Sequence, residues 1–198
     1  METPATDHAG LGRREEIFAA AAEIFWAKGY HATSMNDVAN AMSMRKASVY
    51  HHIKNKETLL YEMSVSSMRH MIDAAMSATS PDPEERLNEA IVRHVEALLD
   101  DRSRHATALV ELRSLSPAER QHIVEMRDSY DHLIDGMVAA VQESTGRWPG
   151  IPARLVRLAM LGMLNWVVFW FSPDGKETAE SIARTFSAIL MPRTDKTT

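Results

Sequence analysis

Apolar residues in this chain almost nowhere alternate with polar ones. They recur three and four positions apart, segment after segment. A half-buried strand needs period two and a helix face needs 3.6, so this spacing leaves helices as the available elements. Glycine, which weakens helix interiors, is scarce at 8 of 198 residues. The fold class that follows is all-α.

Start and stop signals place the helices. Ile17, Ala21, Ile24 and Phe25 mark the stripe of a first helix, with Lys28 in its last turn and Gly29 as its stop. Ser34-x-x-Asp37 is a capping box that opens a short second helix carrying Met35, Val38, Ala39 and Met42. A turn near Ser43 leads to a third short helix, Arg45 to His52. Asn55 caps a long fourth helix through Leu59, Leu60, Met63, Met68, Met71 and Met76. Thr79-Ser80-Pro81-Asp82-Pro83 breaks the chain. Further helices are expected over 83–99, 103–115, 117–145, 152–171 and 178–190, and residues 193–198 are expected to fray.

Composition narrows the class. There is no cysteine, which excludes disulfides and thiolate metal sites and suits a reducing cytoplasm. The N-terminal stretch through Glu16 has no apolar core of a signal peptide. The longest apolar run, Leu158 to Phe171, is too short to span a bilayer. Net charge is −5, yet the segment from His31 to Lys56 holds four basic residues and one acid. A small basic patch on an acidic chain suits a protein that touches phosphate with one end only.

Three short helices, the second and third joined by a tight turn, describe a helix-turn-helix whose third helix can enter a major groove. Val49 and Ile53, four apart, should face its core. Arg45, Lys46, Ser48 and His51 then face outward, and small Ala47 and Ser48 let the helix approach base edges. Tyr50, Lys54 and Lys56 suit phosphate contacts.

Here the chain resembles the TetR family. The match runs through Gly29-Tyr30-x-x-Thr33-Ser34-Met35-x-x-Val38-Ala39. It resumes at Lys46-Ala47-Ser48-Val49-Tyr50-His51-His52-Ile53-Lys54-Asn55-Lys56-Glu57-x-Leu59-Leu60. The resemblance implies a homodimer that binds a double-stranded operator, with Thr33, Tyr50 and Lys56 on phosphates. The family's turn glycine is replaced by Ser43, its capping serine by Arg45, its recognition-helix glycine by Ala47 and its phenylalanine by Ile53. The implied organisation is a helix-turn-helix DNA-binding domain over 11–56 and a larger helical domain for ligand binding and dimerisation over 57–192.

Within that second part, a helix apolar on every face must be covered on every face. One side of the run Leu158 to Phe171 is expected to face a pocket and the other a partner subunit. Ala159 and Gly162 permit close approach, and Ile182, Ala183, Phe186, Ile189 and Leu190 supply a second dimer surface. Met68, Met71, Leu112, Met126, Met137 and Met163 are candidate pocket walls, since methionine adapts to irregular apolar shapes. Trp166, Phe169 and Trp170 are aromatic candidates, and Asn165 is an amide that needs a partner in protein or ligand.

The stretches Leu109 to Arg120, Leu164-Asn165-Trp166 and Trp170 to Gly175 resemble the TetR branch that senses acyl-CoA thioesters. That implies an elongated pocket whose mouth draws on Arg113, Arg120, Arg154 or Arg157, and an effector that releases the operator. No metal or cofactor is expected: Glu119-x-x-His122 stands alone, and there is no phosphate loop or nucleophile motif. His70, His94, His105 and His132 are expected on the surface or satisfied within helices. The expected function is a ligand-responsive, cytoplasmic repressor. The alternative is a helical interaction protein or small enzyme that kept the shape without operator binding.

Overall fold

The computed structural model describes residues 8–192. Residues 1–7, part of the stretch read as lacking a signal peptide, and the tail 193–198, expected to fray, lie outside the described residues. Every described element is helical: α1 His8–Lys28, α2 Met35–Ala41, α3 Lys46–His52, α4 Lys56–Met76, α5 Pro83–Asp100, α6 Arg102–Val110, α7 Pro117–Thr145, α8 Ala153–Asn165, α9 Val167–Trp170 and α10 Ala179–Leu190. The chain folds as two compact units that do not follow chain order. One holds residues up to Ser67 together with Ser103–Gln121; the other holds Met68–Arg102 and the residues from His122 onward.

In the first unit α1, α2 and α3 pack against one another in all three pairings. Ile17, Phe25, Val38, Val49, Ile53, Leu59 and Leu60 are at most 2% exposed. Burying each such side chain contributes about 1.5–3 kcal/mol, which is what holds three short helices that would be marginal alone. The chain turns where the sequence signals it. Gly29, at φ +84°, ends α1 and donates its N–H to Phe25 O at 2.8 Å. Ser34 and Asp37 form the expected capping box, with Ser34 N to Asp37 Oδ2 at 2.8 Å and Asp37 N to Ser34 Oγ at 3.2 Å. Asn55 Oδ1 accepts from Thr58 N at 2.7 Å, capping α4.

The segment 103–121 is fastened to this unit by polar contacts. Ser67 Oγ lies 2.6 Å from His105 Nδ1, in a buried pair. Arg104 donates to Glu15 at 2.7 Å and to Ser66 at 3.0 Å. The single helix expected over 103–115 is in fact α6 followed by a 3-10 turn, Leu112–Ser114. The Ser114 hydroxyl donates to Glu111 at 2.7 Å and sits 3.2 Å from His31 Nε2, local bonds that compete with helix continuation.

In the second unit α5 packs on α8, α9 and α10. Its inward stripe, Leu87, Ala90, Ile91, Val95 and Leu98, is buried, as are Ile182 and Ala183 of α10. The helix expected over 152–171 breaks at Trp166 into α8 and α9. By length and composition the window Ala153–Trp170 is apolar enough to cross a membrane, longer than the apolar run alone suggested. The break, the packing on α5 and a buried charge read it instead as a packed element. That charge is Arg157, 6% exposed, paired with Asp131 at 2.5 Å and Asp135 at 2.8 Å.

Candidate functional site

The recognition face is built on α3. Val49 is fully buried and Ile53 is 1% exposed, as their spacing of four requires. The opposite face carries Arg45, Lys46, Ala47, Tyr50, His51 and Lys54, all exposed, with Ser48 half-buried beside them. Lys46 Nζ stands 5.7 Å from the Tyr50 ring centroid, so a cation and a ring tip share one outward patch. No carboxylate faces the solvent from within α3. An outward cationic helix with small residues at its centre can lie against phosphates and reach base edges.

The turn before α3 keeps its shape without the usual glycine. Ser43 itself takes φ +53°. Met44 N donates to Ala39 O at 2.9 Å, and Ser43 N to Asn40 O at 3.0 Å. These are the bonds of a left-handed helix stop. Arg45 sits at the N-cap of α3 and its side chain makes no cap bond, so this position offers a free guanidinium instead of a cap. At the start of α2, Asp37 is held at about 2, well below the usual carboxylate range. The causes are first the Ser34 hydroxyl, then the Ser34 N–H and the Lys28 ammonium at 3.1 Å.

Two residues expected on phosphates are placed differently. Thr33 is 2% exposed and its hydroxyl donates to Gly29 O at 2.9 Å. Lys56 is half-buried, with Nζ on the carbonyls of Tyr30 and Thr33, each at 2.9 Å. In both cases the loop between α1 and α2 needs its backbone groups satisfied, and the nearest polar side chain does so. One residue escaped sequence reasoning altogether. Arg14 of α1 donates to His52 O at 2.8 Å, at the end of α3, and also binds Glu62 of α4. An arginine thirty-eight positions away leaves no local signal at a helix C-terminus.

The effector candidates divide. Leu112 and Arg113 fall in the 3-10 turn grouped with the first unit. In the second unit Met71 and Met137 are buried, while Met68, Met126 and Met163 are half-buried. Trp166, Phe169 and Trp170 are 62%, 42% and 46% exposed on the single chain, so within it they do not wall an internal pocket. Trp166 packs tilted on Phe169 at 4.7 Å. Arg157 carries no free charge for a pocket mouth, because two aspartates hold it. Arg113 and Arg154 are exposed, and Arg120 is half-buried.

Asn165 finds its partner in protein. His94 Nε2 donates to Asn165 Oδ1 at 3.2 Å, and the Tyr130 hydroxyl donates to His94 Nδ1 at 2.6 Å. This assignment makes every group in the triad complementary for a neutral imidazole. Burial pushes His94 down to about 4, with the Asn165 bond opposing, and pushes the Tyr130 hydroxyl up. His94 and His105 are thus buried, bonded helix residues, whereas His70 and His132 are exposed. A cavity of about 240 Å³ lies elsewhere, lined by Asn88, Val92, Glu180, Arg184 and Ser187. It is smaller than the roughly 300–1,000 Å³ of small-molecule sites. Among the described residues no three His, Asp or Glu side chains gather closely enough to hold a metal ion.

A closed three-helix unit with an outward cationic third helix defines a helix-turn-helix DNA-binding protein. Comparison with known proteins agrees over most of the chain. Residues 17–63 match the family model described as bacterial regulatory proteins, tetR family, and residues 80–193 match the tetracyclin repressor-like, C-terminal domain. The chain is 27% identical over 200 residues to the HTH-type transcriptional repressor KstR2 of Mycolicibacterium smegmatis, covering 95% of this chain and 93% of that one. The crystal structure of PfmR from Thermus thermophilus superimposes with a TM-score of 0.82 at 33% identity, over 88% of this chain and 96% of that one. AibR in complex with isovaleryl coenzyme A and operator DNA gives 0.78 at 27% identity, over 92% and 100%. The chain belongs to the TetR family and is a DNA-binding transcriptional regulator.

Proposed function

We propose that this regulator is a homodimeric repressor that leaves its operator when an acyl-CoA thioester binds. The observation that carries the DNA half is the exposed face of Arg45, Lys46, Tyr50, His51 and Lys54 over buried Val49 and Ile53. Residues 11–56 are assigned to reading DNA and 57–192 to sensing and dimerisation. The protein works in the cytoplasm, where its operator is, and acts by binding rather than by catalysis.

The dimer reading rests on the outer face of α8 and α9. Leu155, Leu158, Trp166 and Phe169 are each more than 40% exposed, at helical spacing, with exposed Ala159 and Gly162 between them. A stripe of that kind on a lone chain marks an interaction surface. The two recognition helices of such a dimer meet half-sites roughly 34–36 Å apart, or a multiple.

The effector reading rests on the chain's likeness to AibR, whose structure holds isovaleryl coenzyme A, and on the body's methionines. Met68, Met71, Met126, Met137 and Met163 are assigned to the acyl chain, with Asn165 at its polar end. Effector can release DNA only by binding better to a state that spaces the recognition helices wrongly. A coupling of about 1–3 kcal/mol weakens operator binding roughly 5- to 150-fold. The test is a mobility-shift titration of the protein on its own promoter DNA with acyl-CoAs, the matching free acids and free CoA. Release by thioesters alone is expected. Release by small apolar compounds without CoA would replace the thioester with another effector class, and no shift on promoter DNA would overturn the repressor.

A further inference from the structure

His94, Tyr130 and Asn165 stand on α5, α7 and α8, all within the second unit. Their hydrogen bonds run in one direction. Tyr130 is 5% exposed and has a single O–H to donate. The bond it makes is the one of 2.6 Å to His94 Nδ1. A buried hydroxyl directs its proton to the partner it has, so Nδ1 accepts and the ring proton sits on Nε2. Nε2 then donates to Asn165 Oδ1 at 3.2 Å. The carbonyl half of the amide is engaged, and Nδ2, with two N–H donors, is the other half. Among the described residues Nδ2 bonds to no protein acceptor, and Asn165 is half-buried between buried Leu164 and exposed Trp166.

The triad is set among the methionines assigned to the acyl chain. Met126 stands four residues before Tyr130 and Met137 seven after it, on one face of α7. We propose that Tyr130 and His94 are positioning residues that fix the Asn165 amide with its N–H donors toward the effector, and that the group read there is the thioester carbonyl oxygen. Asn165 touches the ligand, whereas Tyr130 and His94 act through it. A site that presents only donors selects an acceptor, and a chain carrying CH2 in place of the carbonyl has none to offer. This role rests on the acyl-CoA reading above and deepens it.

The experiment is calorimetric titration of the full chain without DNA. Isovaleryl-, octanoyl- and palmitoyl-CoA are each paired with the CoA thioether of the same carbon skeleton, in which CH2 replaces the carbonyl. Wild type should bind at least one thioester about tenfold more tightly than its thioether, the upper end for one net hydrogen bond. Asn165→Ala should bring that ratio to about one. Tyr130→Phe and His94→Leu should do the same, because each breaks the relay and frees the amide to flip. His94→Gln should keep the ratio near wild type, since its amide can accept from Tyr130 and donate to Asn165. Circular dichroism checks that each variant is folded, and Asn165→Ala with His94→Gln carries the test if the other two are not. If Tyr130→Phe and His94→Leu bind both compounds more weakly but keep the ratio, the two residues are only structural and the proposal falls. It falls too if Asn165→Ala keeps the ratio, if His94→Gln loses it, or if wild type binds thioester and thioether alike. The acyl-CoA reading survives all of these outcomes. Wild type that binds none of the CoA compounds would remove that reading, and this role with it.

Discussion

Ser43 carries the strain of the helix-turn-helix. At φ +53° its Cβ crowds the backbone, a cost of roughly 1–2 kcal/mol that glycine avoids. Glycine in turn loses more freedom on folding, about 0.5–1 kcal/mol. Ser43→Gly should therefore stabilise the protein by a few tenths to about 1 kcal/mol, raising Tm by up to about 2–4 °C. A β-branched residue should do the opposite, because it tolerates positive φ worst. Calorimetry of Ser43→Gly and Ser43→Val checks both signs. A lower melting temperature for the glycine variant would mean that the turn is not left-handed in solution. Arg45 shows the same exchange one step further on: a capping side chain is given up and a cation gained at the recognition face.

The triad His94–Tyr130–Asn165 joins α5, α7 and α8, and it makes their packing sensitive to pH. His94 titrates at about 4 in the fold, mainly because burial penalises its charged form, and near 6.5 when the chain unfolds. Between those values the unfolded chain binds the extra proton, so stability rises with pH. The contribution is complete above about pH 6.5 and is lost as pH falls through about 4. From pH 7 to pH 5 the loss should be about 2 kcal/mol. Urea unfolding at the two pH values, in wild type and in His94→Gln, isolates it: the variant should lack this part of the pH dependence. Equal pH dependence in both would show that His94 does not titrate across folding.

For the whole molecule the decisive surface is the one the single chain leaves bare. Leu158 is 46% exposed and Ile189 is 60% exposed, so neither holds the core of its own unit. Charged replacements there should leave each chain folded while preventing association. Leu158→Glu and Ile189→Glu are expected to sediment as monomers with unchanged helix content and to lose cooperative binding to a two-half-site operator. Phe186 is a poorer place for the test, because it is half-buried against Trp170 at 6.4 Å between ring centroids. A wild-type chain that sediments as a folded monomer at micromolar concentration would sink the dimer. So would glutamate variants that still associate.

What the sequence determined by itself is local. Helix spacing, the Ser34–Asp37 box, the Gly29 stop, the Asn55 cap and the inward pair Val49 and Ile53 all act within a turn or two, so their residues sit side by side in the chain. The outward set on α3 follows from the same periodicity. Tertiary structure decided whatever depends on partners far away in the chain. Lys56 and Thr33 read as phosphate ligands by motif, and only the meeting of α4 with the loop after α1 shows their polar groups engaged by carbonyls. Arg14 on the end of α3, His94 on Asn165 and the aspartates on Arg157 are separated by 38, 71 and at least 22 residues. The apolar run through Trp166 has no break signal, yet its helix is interrupted there, and Trp166, Phe169 and Trp170 stay exposed on the single chain. Side-chain hydrogen bonds and buried charges choose partners by proximity in space, and helical periodicity fixes which way a residue faces but not what it meets.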